Sequence, residues 1–239
     1  METRVEDADV ETSSEDYARR FSGAVGAWFL EVQARTTLDL LGPWPRASVL
    51  DVGGGHGQLT GPLVDAGHNV TVFGSAESCR ERVREWVDRG RAQFRSGDLL
   101  RLPWPDRSFE VVLSYRLLPH VVRWPELVGE LCRLARRAVL VDYPTTRSVN
   151  AVSGFFFALK KGVEGNTRPF AVFNDARLAS AFGAHGFHVT GRRPEFLLPM
   201  ALHRGLGLAP LSRVLEAASG ALGLTRSLGS PVILRAERR

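Results

Sequence analysis

The sequence predicts an α/β domain built on a mostly parallel sheet with helices on both faces. Short apolar segments rich in Val and Leu alternate with segments of helical periodicity, which is typical of strand–helix–strand units. The first apolar segment, near 48–53, runs directly into a turn with glycine at alternate positions. A strand followed by such a turn and a helix indicates a ligand site at the carboxyl edge of the sheet.

The individual elements follow from apolar periodicity and from the residues that end helices. Gly67 and Gly90 end the first two predicted core helices, and Pro125 suits the start of the third. Asn174 caps a fourth helix. We expect strands near 48–53, 69–74, 92–95, 109–114, 137–142, 187–193 and 230–236, and helices near 57–66, 77–88, 124–135 and 175–184.

The segments outside this core differ in composition. Residues 1–13 are acidic with few apolar residues, and we expect them to be a disordered tail. Residues 14–239 then form one domain, with one or two amphipathic helices over 14–43 and the core over 44–143. Apolar segments at 144–173, which contains Phe155 to Phe157, and at 196–223 are predicted to cover the substrate.

Composition restricts the function classes. Cys79 and Cys132 support neither a disulfide framework nor a zinc site, and we expect both to be buried. No secretion signal and no run of about 18 apolar residues occurs, so we expect a soluble, cytoplasmic protein for which peripheral membrane contact stays open. The net charge is +5, but the arginines are spread along the chain, and we expect no nucleic-acid partner.

The glycine turn carries the strongest functional signal. Its pattern over Asp51 to Gly57 is D-x-G-x-G-x-G, whereas a dinucleotide fingerprint has G-x-G-x-x-G with the acid about 20 residues later. A second stretch, Gly97 to Ser114, reads GDLLRLPWPDRSFEVVLS, and LLPHV follows at 117–121. Together the two stretches resemble class I S-adenosylmethionine-dependent methyltransferases over residues 45–143. The resemblance implies a Rossmann-like, seven-stranded sheet with a helical lid at the N-terminus.

The resemblance also implies a cofactor site. S-adenosyl-L-methionine would be the cofactor and S-adenosyl-L-homocysteine the product. The cofactor would be surrounded by the loops that follow the carboxyl ends of the strands, at 53–57, 74–77, 96–99 and 114–120. Asp98 would accept from the adenine amine, with a turn-capping role as its alternative, and Tyr17 and Phe21 would belong to the lid. The assigned cofactor-binding residues are Asp51, Gly53, Gly54, Gly55, Gly57, Gly74, Ser75, Asp98, Leu99 and Ser114.

One position departs from the family pattern. The family usually has an Asp or Glu after the second strand to bind the ribose hydroxyls, and this chain has Gly74. A charge-assisted contact of that type contributes about 1.5–3 kcal/mol. Glu77 is either a replacement or simply an acid in the first turn of the next helix.

The sequence says less about the residues that would contact the methyl acceptor. His120 is the one histidine placed by a motif at the mouth of the expected pocket, where it is either a general base or a residue that packs the loop. Tyr115, Arg116 and Tyr143 are expected to line the same mouth. The remaining histidines show no metal-ligand spacing, and we expect no metal site.

These features predict methyl transfer to a small, lipophilic acceptor on oxygen, carbon or nitrogen. Because Gly74 departs from the pattern, the alternative is a cofactor-binding or non-catalytic protein that keeps the fold. An RNA methyltransferase is the third hypothesis, suggested by the basic charge balance. The oligomeric state stays open.

Overall fold

A computed structural model describes residues 6–148 and 170–239. Within them lies a seven-stranded sheet in the order β3-β2-β1-β4-β5-β7-β6. The pairs among β1 to β5 are all parallel, and β7 is antiparallel to both β5 and β6. This arrangement confirms the predicted fold class. The strands are β1 Ser48–Val52, β2 Asn69–Gly74, β3 Ala92–Ser96, β4 Phe109–Ser114, β5 Ala135–Tyr143, β6 Phe187–Pro194 and β7 Val232–Arg238.

Helices flank the sheet and cover its carboxyl edge. Short 3-10 segments at Gly54–His56, Glu77–Val83 and Leu118–His120 follow β1, β2 and β4. The described α-helices are α1 Ala8–Thr12, α2 Glu15–Arg19, α3 Gly23–Leu41, α4 Thr60–Asp65, α5 Arg84–Asp88, α6 Trp124–Leu134, α7 Asp175–Gly183, α8 Met200–Leu206, α9 Ala209–Ala221 and α10 Leu224–Leu228. Across 6–148 and 170–239, no helix has the length and hydrophobicity that crossing a membrane requires.

The central strands are buried on both faces, which is why they read as continuous apolar runs. Leu50 of β1 packs into a cluster with α6 and α7, whereas its neighbour Val49 packs on the opposite face with α4 and the end of α3. The buried cysteines, Cys79 and Cys132, confirm the expectation that they are small core residues.

The acidic opening differs from the expected disorder. Residues 8–12 form α1, and Ala8 joins the core of the sheet. Asp9 is fully buried because its carboxylate accepts a hydrogen bond from the backbone N–H of Ser75. Composition favoured a solvated tail, but a specific hydrogen-bond donor for one buried acid, together with the burial of Ala8, overrides that tendency. Residues 1–5 lie outside the described part.

Two predicted helices are shorter than expected. The helix near 57–66 begins only at Thr60, because a 3-10 turn and the left-handed Gly57 precede it. The helix near 77–88 is a 3-10 segment followed by the short α5.

Of the two segments predicted to cover the substrate, the structure describes only the second one fully. Most of 144–173, with Phe155 to Phe157, lies outside the described residues. The segment 196–223 contains α8 and α9, and helix formation continues into α10.

Arg133 on α6 fixes the long loop between β3 and β4. Its guanidinium donates to the carbonyl oxygens of Leu102 at 3.0 Å and Trp104 at 2.7 Å. It also pairs with Glu130 and Asp106. These bonds hold the loop that contains the predicted site residues Asp98 and Leu99.

We predict that Arg133→Leu lowers the free energy of unfolding by about 1–3 kcal/mol, because the two loop carbonyls lose a charged donor. Denaturant titration followed by circular dichroism measures the change. Arg101→Leu, at an exposed arginine of the same loop, should change stability by no more than about 0.5 kcal/mol. Equal losses in the two variants would contradict the assigned role of Arg133.

Candidate active site

The turn after β1 requires glycine for two different reasons. Gly53 and Gly57 have left-handed backbones, with φ of 75° and 70°. A side chain on Gly54 would overlap the carboxylate of Asp51. The turn therefore combines backbone freedom at its ends with close approach at its centre.

Gly55 is required for close approach and not for positive φ. A Cβ there would meet the hydroxyl of Ser13 and would lie 2.7 Å from the Cβ of Cys79. The N-terminal segment therefore lies directly against the glycine turn.

Asp51 is a buried acid that lacks a partner. Its side chain is fully buried, and neither carboxylate oxygen has a hydrogen-bond partner among the described residues. Burial, and secondarily the charge of Asp142, raise the pKa of Asp51 to about 7. A buried carboxylate without donors is costly, so this group is suited to bind a cationic or hydrogen-bonding ligand.

Two further acids lie at the same edge of the sheet; Asp142 is buried, and Glu195 is half-buried with a buried Oε1 atom. Asp142, in β5, accepts a hydrogen bond from the backbone N–H of Arg116 at 2.6 Å, and burial raises its pKa. Glu195 follows β6 directly, and burial together with the charge of Asp142 raises its pKa to about 8. The Oε1 atom of Glu195 has no partner within the described part of the chain.

Arg116 lies between the acids Asp142 and Glu195 and an aromatic ring. It has a left-handed backbone with φ of 58°, and its guanidinium donates to the side-chain oxygen of Gln33 at 3.1 Å. The same guanidinium lies 4.1 Å from the ring centre of Phe21, one of the predicted lid residues. A positively charged group, two acids and an aromatic ring thus meet at the carboxyl edge.

Sequence analysis missed Asp142 and Glu195. Both follow the position rule that identified Asp51, since each lies at or just after the carboxyl end of a strand. That position was the available signal. For Glu195 the sequence did not show this position. Both β5 and β6 pair antiparallel with β7, and only this pairing shows that β5 and β6 end at the same edge.

The predicted adenine acid has a local role in the structure. Asp98 is exposed and its Oδ1 accepts from the backbone N–H of Leu100 at 2.9 Å, as in a turn cap. Leu99 is fully buried beside it. Contact of Asp98 with adenine stays a prediction.

The residues after β2 lie beside α1. Gly74 is buried, and Ser75 donates its backbone N–H to Asp9 at 2.7 Å. Glu77 is exposed and its carboxylate accepts from the hydroxyl of Ser96 at 3.2 Å.

The expected mouth residues have separate surroundings. Tyr115 and Tyr143 are fully buried; the Tyr115 hydroxyl lies 3.1 Å from that of Thr37, and Tyr143 donates to Asp175. The ring of His120 is 5.5 Å from that of Phe170, and its role as a base stays a prediction. Ser114 is buried at the end of β4, and its hydroxyl has no partner among the described residues.

His56, inside the glycine turn, is held neutral. Burial, then the charges of Arg116 and Arg82, lower its pKa to about 3. Its Nδ1 accepts from the backbone N–H of Gln58. No group of three metal-ligating side chains occurs within residues 6–148 and 170–239.

Comparison with known proteins identifies the domain at the centre of the chain. Residues 50–140 match the family model described as a methyltransferase domain. Residues 50–140 therefore form a methyltransferase domain, and the sheet around them has the class I fold of S-adenosylmethionine-dependent methyltransferases. The cofactor of these methyltransferases is S-adenosylmethionine, and the predicted family resemblance is confirmed.

Individual similar proteins differ in their sequence identity to this chain and in the share of it that they match. A demethylmenaquinone methyltransferase of Beutenbergia cavernae is 29% identical over 176 residues, or 68% of this chain and 72% of that protein. An uncharacterized methyltransferase of Anoxybacillus flavithermus is 29% identical over 104 residues, or 43% of this chain. The chain therefore spans about half (48%) of the length of that relative. The magnesium protoporphyrin IX methyltransferase of Synechocystis PCC 6803, solved with bound S-adenosylhomocysteine, has a TM-score of 0.66 at 15% identity and 93% coverage of both chains.

The residues of this methyltransferase fit the cofactor. The unpartnered carboxylate of Asp51 complements an ammonium group, and the adjoining turn has no side chain of its own at Gly53, Gly54, Gly55 and Gly57. We therefore assign Asp51 and the turn to the methionine portion of S-adenosylmethionine as a proposal.

Asp51 also predicts a pH dependence of stability. Its pKa rises from 3.8 to about 7 on folding, so the folded state holds a proton that the unfolded state loses. Its contribution to stability is full below pH of about 4 and is lost as the pH rises through about 7. Between these limits the unfolding free energy of the natural chain should fall by about 1–4 kcal/mol more than that of Asp51→Asn.

Denaturant titrations without ligand at a series of pH values measure this difference. Asp39→Asn, at an exposed acid of α3, is the matched control and should follow the natural chain. Parallel stability curves for Asp51→Asn and the natural chain would show that Asp51 titrates normally.

Proposed function

We propose that this chain transfers a methyl group from S-adenosylmethionine to a small apolar acceptor that carries one ionisable or polar group. The observation that carries the proposal is the contact between a partly buried polar cluster and an apolar cover. Arg116, Asp142 and Glu195 form the polar cluster, and Phe21 packs between Arg116 and the aromatic cluster of the cover.

The cover is built from rings and leucine-rich helices. Trp28, Phe29 and Phe196 pack together, with ring centres 4.9–5.3 Å apart. Phe196 immediately follows Glu195, so the apolar cover begins where the polar cluster ends. Such a combination of apolar walls with a few polar groups is typical of small-molecule sites.

The outer face of the cover is apolar as well. Among the residues that the structure describes, nine of the thirteen exposed large hydrophobic ones lie in the region of α8 to α10. They are Leu202, Leu206, Leu208, Leu211, Val214, Leu215, Leu222, Leu224 and Leu228. Exposed apolar surface of this kind marks ligand, partner or membrane contact, and it supports a lipophilic acceptor.

The protein's part in the reaction is orientation and proton transfer. The cofactor supplies a methyl group already activated by its sulfonium, so little covalent help is needed. Arg116 would orient the polar group of the acceptor, and the cover would exclude water. Glu195 is suited to remove a proton, because its carboxyl group has a pKa of about 8, close to neutral pH, and its Oε1 atom has no partner among the described residues.

The names of similar proteins suggest the first acceptors to try. One relative is a demethylmenaquinone methyltransferase and one structural neighbour a magnesium protoporphyrin IX methyltransferase, and both names denote large apolar acceptors. A hydroquinone with an isoprenoid chain, a long-chain phenol and a porphyrin carboxylic acid therefore make a short panel.

We expect formation of S-adenosylhomocysteine with at least one member of this panel, together with transfer of labelled methyl into the organic phase. Glu195→Gln should lower kcat by about 10²–10⁴-fold. In the natural chain, kcat should rise with pH up to an apparent pKa near 8, and Glu195→Gln should remove that rise. Glu31→Gln, at an exposed acid of α3, serves as control and should retain the natural profile.

Other outcomes would favour the other hypotheses. Binding of S-adenosylhomocysteine without turnover on any acceptor class would support a non-catalytic protein that keeps the fold. Retention of RNA that weakens with salt, together with label in RNA, would support the RNA methyltransferase hypothesis.

A further inference from the structure

Asp9 places a carboxylate at the carboxyl end of β2, beside the position where this chain has Gly74. Its Oδ2 accepts from the backbone N–H of Ser75 at 2.7 Å. The same oxygen lies 3.5 Å from the sulfur of Cys79, and a Cβ at position 74 would lie 3.4 Å from it. The carboxylate of Asp9 thus occupies the space next to residue 74.

Position 74 has no room for an acid of its own. A Cβ there would lie 2.6 Å from the Cβ of Cys79 and 3.3 Å from its sulfur. Both contacts involve a fully buried residue, so an added side chain could not be accommodated without displacement of its neighbours. Gly74 is therefore a steric requirement of this arrangement.

Asp9 is held rigidly but keeps one oxygen free. The residue is 0% exposed, and its Oδ1 has no hydrogen-bond partner among the described residues. A buried carboxylate oxygen without a donor is costly, and a ligand hydroxyl in this position would satisfy it.

The helix that carries Asp9 also contacts the other cofactor loops. Ser13 lies against Gly55 of the glycine turn, and its hydroxyl donates to the carbonyl of Asp9 at 2.7 Å. Ala8 packs into the cluster that contains Leu99 and Leu117. Glu6 accepts from the backbone N–H of Arg123 at 3.2 Å. The segment from Glu6 to Ser13, which includes α1, thus contacts the loops after β1, β2 and β4.

From this geometry we infer that Asp9 is the carboxylate that binds the ribose hydroxyls of the cofactor. In nucleotide-binding α/β folds, an acid about 20 residues after the glycine turn accepts hydrogen bonds from a ribose hydroxyl. Here that place holds Gly74, and α1 supplies the acid instead. The inference rests on the cofactor of the proposed function and is independent of its acceptor.

Glu77, the other candidate, is poorly placed for this role. It is exposed, and its carboxylate accepts from the hydroxyl of Ser96. Asp9 is closer to position 74 and keeps an unsatisfied oxygen, whereas Glu77 interacts with the surface of β3.

Calorimetric titration with S-adenosylhomocysteine tests the inference. Asp9→Asn keeps the size of the side chain and an acceptor for Ser75, and it should weaken binding by about tenfold or more. Glu77→Gln is the matched control and should bind within about twofold of the natural chain. The 2′-deoxy analogue of S-adenosylhomocysteine should lose affinity for the natural chain but bind Asp9→Asn no more weakly than the intact ligand does.

The outcomes separate the inference from the proposed function. Equal or tighter binding by Asp9→Asn would overturn the role of Asp9 and show that α1 only covers or obstructs the site. A tenfold loss in Glu77→Gln would assign the ribose to Glu77 instead, and this exposed substitution does not endanger folding. Failure of the natural chain to bind S-adenosylhomocysteine would overturn both the inference and the proposed use of the cofactor.

Discussion

Every feature of the site depends on the parallel pairing of β1 with both of its neighbours. Asp51 lies opposite Val72 of β2 and Leu113 of β4, so all three strands end at the same edge. The loops that follow therefore meet, and glycine at 53, 55 and 57 lets the turn after β1 lie close against its neighbours. If β1 were shifted by one residue, Asp51 would face the other side of the sheet, and the acid and the turn could not act together.

The carboxyl edge concentrates charge that the rest of the core excludes. Asp51, Asp142 and Glu195 all have raised pKa values because burial removes them from water. Arg116 offsets part of this cost through its charge and through its N–H bond to Asp142. Retaining three acids in such surroundings opposes folding, and this is the pattern expected where residues are kept for ligand chemistry and not for stability.

The sheet and the glycine turn were predictable from sequence, because both depend on local rules. Runs such as Ala138 to Val141 are apolar over their whole length only if both faces are covered, and glycine at 53 and 57 satisfies a backbone requirement. The ordered α1 was not predictable, because its contacts are with distant parts of the chain, among them the hydrogen bond from Ser75 to Asp9, more than 60 residues away. The acids near Arg116 were missed for the same reason: each is an ordinary polar residue until the sheet brings them together.

The close packing at the end of β2 links three positions that are far apart in the chain. Asp9, Gly74 and Cys79 fill one small volume, so a larger residue at any one of them requires a smaller residue or a shift at another. Such positions are expected to vary together among homologous chains, with glycine at 74 accompanying an acid near the N-terminus. A pattern of fixed spacing cannot detect this exchange, because the carboxylate has moved to a different element while its place in space is nearly the same.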